Sequence, residues 1–324
     1  MNVIVTEIHD HHRSLLNQHL HQFLGDLEPD ALALLHERFE WVEVTGGETL
    51  IEQGAPGDSM YLSVSGRLRA YVNDEHGKPS PVREMGRGQA FGEMSLYTDE
   101  PRSATVVAIR DSLLVRLNKA HFSDLLASNH QLSMALTRQI IHRLQTQHDL
   151  NPMPLPVTIT LVLITEGIDR LDFAERLSAQ LRHQGSVSII DSRTVYNELD
   201  TSDDGAVSND EAQLNRHMAI YLDNIESKSD FVLLVADDTP KDWTQRCCRH
   251  GDELLLLADI RQEPTLHVTE TDYLNQQSRR TEAAEILVLL HPADTRCPVG
   301  TRAWLERRPV TNHVHIRPEL EPAA

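Results

Sequence analysis

A chain of 324 residues is long enough for two domains, each burying a core of its own, and it carries 49 acidic against 30 basic side chains, a formal charge of −19 with histidines neutral. That excess repels phosphate backbones and argues against nucleic acid as a partner, and no apolar run approaches the ~20 residues of a transmembrane segment. The N-terminus lacks a basic stretch leading into an apolar one, and Cys247, Cys248 and Cys297 have neither metal-ligand spacing nor an even count, so the composition reads as a soluble, cytoplasmic protein.

Residues 12–40 place Leu15, Leu16, Leu20, Phe23 and Leu24, then Leu32, Leu34, Leu35 and Phe39, at helical spacing, with a break at residues 26–30 that predicts two helices. His9, His11, His12, His19 and His21 lack an i,i+4 pair framed by carboxylates and read as surface side chains rather than metal ligands. From residue 41 short alternating strands follow, "WVEVTGGETLI", "SMYLSVSGRLRAYV", "PVREMGRG", "SATVVAI" and "SLLVRL". Their regular spacing predicts an antiparallel β-barrel or jelly roll with flanking helices. Residues 119–148 return to helical periodicity, with Leu132, Leu136, Ile140 and Leu144 four apart. Such a stripe either covers the barrel or pairs with a second copy of the chain, which leaves a homodimer open.

"NPMPLPV" at 151–157 alternates three prolines and predicts an extended connector, giving a first domain over 1–150, a linker over 151–156 and a second domain over 157–324. Beyond it, nearly continuous apolar strands such as "TITLVLI", "FVLLVAD", "ELLLLAD" and "EILVLLH" alternate with amphipathic stretches such as "DFAERLSAQLRHQG" and "EAQLNRHMAIYLDNI". That order predicts a doubly wound α/β domain with a mainly parallel sheet, so the whole is an α+β two-domain chain. Residues 200–211, "DTSDDGAVSNDE", match a calcium-loop pattern but read better as a solvated acidic loop, since no second such loop accompanies them.

The stretch with the most chemistry is "FGEMSLYTDEPRSATV", residues 91–106. Gly92, Glu93, Met94 and Ser95 have the look of a short helix's first turn after a strand, where backbone N–H groups favour an anion. Arg102 supplies a two-pronged charge for a phosphate, Ser103 a neighbouring hydroxyl, and Glu93 an acceptor for a sugar hydroxyl. Together they describe a nucleotide whose phosphate and ribose lie side by side. This stretch resembles the phosphate-binding cassette of cyclic-nucleotide-binding domains of the catabolite-activator and protein-kinase-regulatory type. The resemblance runs over roughly residues 15–148 and includes "GETLIEQGAPGDSMYLSVSGRLRAYV", whose glycines fall at the family's turns. It implies that Arg102 grips the cyclic phosphate, Glu93 takes the ribose 2′-OH, and Gly92, Met94 and Ser95 offer backbone contacts. The ligand is then cAMP or cGMP, with no other cofactor. Ser103 does not choose between the two bases, and Thr137, Arg138 and Gln139 of the following helix are the base-contact candidates.

Residues 157–317 resemble the region that precedes the catalytic domain in patatin-like phospholipases of the neuropathy-target-esterase type, through "DFAERLSAQL", "DWTQRCCRHGDELLLLA", "EILVLLHP", "TRAWLERR" and "HVHIR". In that family the region looks like a phosphate-loop NTPase without its loop. "TEGIDRLDF" after the first strand has one glycine and no Gly-Lys-Ser/Thr, so the backbone cradle and its lysine are missing. Asp237 reads as a polar strand end capping the next helix rather than a magnesium ligand. His313 and His315 share one face of a strand and read as packing or a domain contact. "GDSM" at Gly57 reads as a barrel turn, not a lipase signature. None of the fifteen glycines begins a Gly-x-Ser-x-Gly turn, so the family's catalytic pair has no counterpart here. The expectation is a non-enzymatic, cyclic-nucleotide-binding regulatory protein that relays occupancy to a patatin-like hydrolase domain. A patatin-like phospholipase fragment is the alternative, and a catabolite-activator-type transcription regulator is disfavoured because no basic helix-turn-helix follows residue 148.

Overall fold

The computed structural model describes residues 2–74, 77–98, 100–146, 157–202, 211–239, 241–274, 283–295 and 299–317. The chain divides into two compact units, Met1–Leu155 and Pro156–Ala324. The proline segment at 151–156 and residues 203–210 of the acidic loop lie outside the described residues.

The first unit runs α1 (Asn2–Leu24), α2 (Pro29–Arg38), β1 (Glu40–Val44), β2 (Thr49–Ile51), β3 (Ser59–Ser65), β4 (Leu68–Asn73), β5 (Pro79–Met85), β6 (Ala90–Phe91), α3 (Met94–Thr98), β7 (Thr105–Ala108), β8 (Ser112–Asn118), α4 (Lys119–Ser128) and α5 (His130–Thr146). Its strands form two four-stranded antiparallel sheets, β1-β8-β3-β6 and β2-β7-β4-β5, the double-sheet layout of a jelly roll. Strand alternation sorts β3 between two cores. Tyr61 joins Leu68, Phe91, Val106 and Leu114 between the sheets. Met60, Leu62 and Val64 face the other way, onto Leu16, Leu20, Leu35, Phe122, Leu132 and Leu136 of the helices. Both faces of β3 are therefore covered, and each large apolar side chain sealed there contributes about 1.5–3 kcal/mol.

The turn into β4 is closed by Gly66, at φ +91°, where a Cβ would stand 2.5 Å from the Ser112 Cα. No other residue fits both restraints. Over its described residues, 119–146, the helical run is broken once. Asn118 caps α4 by accepting from the His121 N–H, and Asn129 closes it in an extended conformation, its side chain then accepting from the Leu132 N–H at 3.0 Å to start α5. Leu132 and Leu136 of the expected stripe lie in the core of this unit.

The second unit runs β9 (Val157–Leu163), α6 (Arg170–Leu181), β10 (Val187–Asp191), α7 (Ser192–Ser202), α8 (Glu211–Glu226), β11 (Phe231–Val235), α9 (Asp242–His250), β12 (Glu253–Asp259), α10 (Val268–Tyr273), β13 (Ala284–Leu290), α11 (Thr301–Glu306) and β14 (Asn312–Ile316). Its six strands pair in the order β10-β11-β9-β12-β13-β14, every neighbour parallel. All seven residues of β9 are buried, as a central strand with both faces covered requires. Asp200 and Ser202, expected in the acidic loop, belong to the end of α7, and Glu211 opens α8. Trp243 of α9 is buried and donates its indole N–H to the Val235 carbonyl at 2.9 Å.

The chain runs from β9 to β10, returns to β11, then crosses β9 to reach β12. The carboxyl end of β9 is thus where winding reverses and where such sheets hold ligands. Here a cavity of about 310 Å3 remains beside the turn, lined by Gly167, Asp169, Asp259 and His291 among others, but the helix-end donors are taken by the chain itself. The Asp169 carboxylate caps α6, accepting from the N–H groups of Leu171 and Asp172 at 3.1 Å each, the donors a phosphate would use. Arg170 pairs with Asp238 and lies 3.6 Å from the Asp237 carboxylate, which also accepts from the Ser192 hydroxyl at 2.7 Å. Asp237 therefore does not cap α9, whose N-cap is Lys241. It bridges α6 and α7 instead.

Two outcomes follow from this packing. Trp243→Ala should cost about 3–5 kcal/mol through the cavity it leaves, read as a lower urea midpoint for the unit holding the parallel sheet; an unchanged midpoint would show the indole is not part of that core. ATP and GTP should give no saturable heat when titrated into the Arg102→Ala chain, because the turn after β9 has no lysine and its helix end is already capped. Micromolar binding there would overturn this account of the turn.

Candidate functional site

Strand β6 ends at Phe91 and the chain turns at Gly92, where φ is +79° and a Cβ would lie 2.7 Å from Arg102 Nη1. Glycine is needed both for the left-handed turn and for room beside the guanidinium. Helix α3 begins at Met94 and lasts five residues, so Gly92 and Glu93 form the turn before it rather than its first turn. Gly57, on the turn before β3, is packed so closely against α3 that a Cβ would fall 1.9 Å from Ser95 Cβ.

Arg102 is pinned along its backbone, its N–H donating to Ala55 O at 2.9 Å while its carbonyl accepts from Gly54 N at 2.8 Å. Its side chain is buried. Nη1 donates to the Gly92 carbonyl at 2.9 Å, Nη2 donates to Ser59 Oγ at 3.0 Å, and Nη2 lies 3.7 Å from Asp58 Oδ1. Burial pulls the guanidinium pKa down, and the neighbouring Tyr61 and Asp58 oppose that pull. The Ser59 hydroxyl, donating at 2.8 Å, is the main cause that holds the Asp58 carboxyl below its ordinary value, against burial; Arg116 and Arg102 add to the effect. The serine of "GDSM" is thus a buried hydrogen-bonding link beneath Arg102, in keeping with its reading as structure.

Glu93 is buried beside Tyr97, whose phenol is pushed up to about 12, first by burial and then by the Glu93 charge. A cavity of about 20 Å3 next to them is lined by Glu93, Tyr97, Phe122, Leu136 and Gln139, among others. Helix α5 therefore reaches the cassette through Leu136 and Gln139. Thr137 and Arg138 are exposed, with the Thr137 hydroxyl donating back to Ser133 O at 2.8 Å. Of the expected site residues, Gly92 and Arg102 meet beside Ser59, Glu93 and Ser95 are buried next to Tyr97 and Gly57 respectively, and Met94 and Ser103 lie at the surface. Sequence reasoning missed Ser59 as a partner of Arg102, and Tyr97. Forty-three positions separate the first pair, and no local pattern signals it.

Elsewhere the chemistry is structural. Cys247 and Cys248 are buried; burial raises both thiols, that of Cys248 to about 12, so neither is a poised nucleophile. His19 is buried rather than on the surface, its Nε2 3.1 Å from Val64 O, whereas His21 pairs with Asp26 in the open. His313 and His315 pack edge to face, and His315 Nδ1 lies 2.7 Å from His291 Nε2. Among the described residues no group of three or more His, Cys, Asp or Glu side chains is placed to hold a metal ion, and no helix is long and apolar enough to cross a membrane.

Comparison with known proteins agrees with the two-part layout. Residues 41–129 match the family described as cyclic nucleotide-binding domain, and residues 157–323 match the Neuropathy Target Esterase family P-loop like domain. Lysophospholipase nte1 of Aspergillus oryzae is 30% identical over 328 residues, covering 91% of this chain. The lysophospholipase nte1 of Emericella nidulans is 32% identical over 317 residues, covering 88%. In each case the match takes in 20% of the relative, so the chain spans about a fifth of the length of the curated relatives it matches. Among solved structures, the catabolite activator protein of Thermus thermophilus is 27% identical with a TM-score of 0.37, covering 39% of this chain and 59% of that one. The regulatory domain of Toxoplasma gondii PKA with cAMP is 28% identical with a TM-score of 0.33, covering 35% and 44%. With a cyclic nucleotide-binding domain followed by the family's P-loop like domain over more than half its length, the chain belongs to the Neuropathy Target Esterase family.

Proposed function

We propose that this chain is a cyclic-nucleotide-responsive regulatory module, binding cAMP or cGMP through its first domain (1–150) and relaying occupancy to a patatin-like hydrolase domain. The observation that carries the reading is the placement of Arg102 and Glu93. Both are buried, on either side of the Gly92 turn, with the guanidinium oriented by the Gly92 carbonyl and Ser59 hydroxyl. In this reading Arg102 takes the cyclic phosphate, Glu93 the ribose 2′-OH, the Gly92–Ser95 backbone the remaining phosphate oxygens, and Ser103 stands at the rim. Preorganised donors of this kind bind a charged ligand without first reordering the side chain. Helix α5, which shares a cavity with Glu93 and Tyr97 through Leu136 and Gln139, is the element whose position ligand would bias. A ligand shifts such an equilibrium only by its differential affinity for the two states.

The site is cytoplasmic in this reading, since that is where cyclic nucleotides signal, and the exposed Met134 and Ile141 of α5 leave room for a homodimer. The lysophospholipase relatives support the partner: a hydrolase domain would receive the signal. A second reading, in which these residues are themselves the esterase, has no observation in its favour, because Ser59 is buried beneath Arg102 and both described cysteines are buried thiols.

Calorimetric titration of cAMP and cGMP tests the binding. Arg102→Ala should lose about 2–5 kcal/mol, more than tenfold in affinity, and Glu93→Gln should discriminate less between ribose and 2′-deoxyribose ligands. Equal affinity of wild type and Arg102→Ala rejects the assignment. The purified chain should release no fatty acid from lysophospholipid, with or without cyclic nucleotide; turnover that co-purifies with it and is lost to a serine-directed inhibitor would reveal a different active site.

A further inference from the structure

The strand order of the parallel sheet leaves one of its faces half covered. A right-handed crossover sets its helix on one face when the chain steps one way along the sheet, and on the other face when it steps back. The step from β9 to β10 carries α6, and every later step, through β11, β12, β13 and β14, runs the opposite way. Among the described helices α6 is therefore alone on its face, where it packs on β9, β10 and β11. Ile316 of β14 lies on that face, lining one cavity with Phe173 of α6, and Val314 follows it by alternation. Both stay open to solvent, at 38% and 39% exposure, as does every residue of β14.

Strand β14 is also an edge, and among the described strands only β13 pairs with it, in unbroken register from Asn312 to Ile316. The Ile316 carbonyl accepts from the His291 N–H at 2.8 Å, so Ile316 and Val314 turn their backbone groups to β13. Those of His313 and His315 point outwards, where the His313 N–H meets only its neighbour's Asn312 Oδ1 at 2.8 Å. Sheet edges are normally guarded by a lysine, a proline, a bulge or an inward charge, and Asn312–Ile316 has none of these. The opposite edge, β10, is packed against α6 and α7.

Charge narrows what can pair there. A chain at −19 repels its own copies over most of its surface, yet residues 307–317, "RRPVTNHVHIR", contain no acid. Two copies related by a twofold axis pair antiparallel about a single residue. Centring on Val314 brings the outward backbone groups of His313 and His315 face to face across the copies. It sets Asn312 against Ile316 and Arg317 against Thr311, so no charge meets its like at neutral pH. An acidic peptide finds less, because Arg307 and Arg308 are tied to Glu270 and Glu285, and Arg317 donates to Thr295 O at 2.8 Å. Residues 318–324 carry prolines at 318 and 322, which cannot donate to a ladder.

We propose that β14 is a self-association edge, two copies of this chain pairing their β14 strands antiparallel about Val314 so that their parallel sheets join and Val314 and Ile316 are covered. One strand pair per copy is a small interface, so the dimer should be weak, with a Kd on the order of ten micromolar. Sedimentation velocity on the full chain at neutral pH should show a monomer–dimer equilibrium in that range. His313→Pro removes an outward N–H without touching the ladder to β13 and should weaken the dimer about tenfold or more. Should that variant fail to fold, Val314→Lys sets two ammonium groups opposite each other at an exposed position and should weaken it in the same direction. Register is tested by cross-linking with oxidised glutathione, wild type serving as the control for the chain's own cysteines. Val314→Cys should link two copies, since a central non-hydrogen-bonded pair has Cα atoms about 4.5 Å apart, within disulfide reach. Asn312→Cys, facing Ile316 of the second copy, should not. Met134→Glu, on the exposed side of α5, should leave the equilibrium as it was, and none of these readouts depends on ligand at Arg102. The edge pairing is overturned if the chain stays monomeric up to about 200 µM, if well-folded His313→Pro and Val314→Lys chains dimerise like wild type, if Asn312→Cys links as readily as Val314→Cys, or if Met134→Glu abolishes the dimer.

Discussion

A guanidinium taken out of water must be met by acceptors held in place, and around Arg102 several otherwise unrelated features of the first unit meet that need. Gly92 turns left-handed and leaves space for Nη1 while offering its carbonyl. Ser59 opens β3 with its hydroxyl beneath Nη2. The backbone of residues 54–55 clamps Arg102 from both sides, and Gly57 lets α3 close over the same turn. The arginine is consequently the point where the two sheets, the cassette and the turn before β3 meet. A change at any of these positions alters the charge that would face a phosphate.

The second unit meets its polar demands in the opposite sense. At the carboxyl end of its sheet, where a nucleotide would sit, Asp169 takes the first N–H groups of α6 and Arg170 pairs with Asp238 beside Asp237. At the amino end, Glu270, Glu285, Arg307 and Arg308 are more deeply buried, and Arg307 Nε and Nη2 have no acceptor among the described residues. In this P-loop like domain the helix-end donors at the usual crevice are satisfied internally, while among the described residues a buried donor pair elsewhere is not.

Much of this was legible from periodicity. Two-residue alternation marked most strands of the jelly roll, unbroken apolar runs marked the parallel sheet, and the spacing of Glu93 and Arg102 marked the cassette. What escaped was set by single capping residues or by distance along the chain. Asn129 splits a run whose helical periodicity spans 119–148, and that periodicity alone does not mark the boundary between α4 and α5. The six-residue helices α10 and α11 carry too few turns for a periodic signal. His19 lies on a helix face whose burial depends on β3, and Arg307–Arg308 reads as an ordinary surface pair until Glu270 and Glu285 arrive from other elements. Asp237 ends its strand as a cap would, but the partners that claim it come from α6 and α7.

The cap on α6 has a consequence for how this domain could change over time. Asp169 is tethered two and three residues from the N–H groups it occupies, so a free phosphate competes with a carboxylate whose effective concentration is on the order of millimolar or more. Supplying a glycine-rich turn and a lysine after β9 would leave that competitor in place, with Arg170 still drawn to Asp237 and Asp238. Removing Asp169 first would uncap the helix at a cost of about 1 kcal/mol with no compensating ligand. Each single step toward a nucleotide-binding turn is therefore neutral or harmful taken by itself.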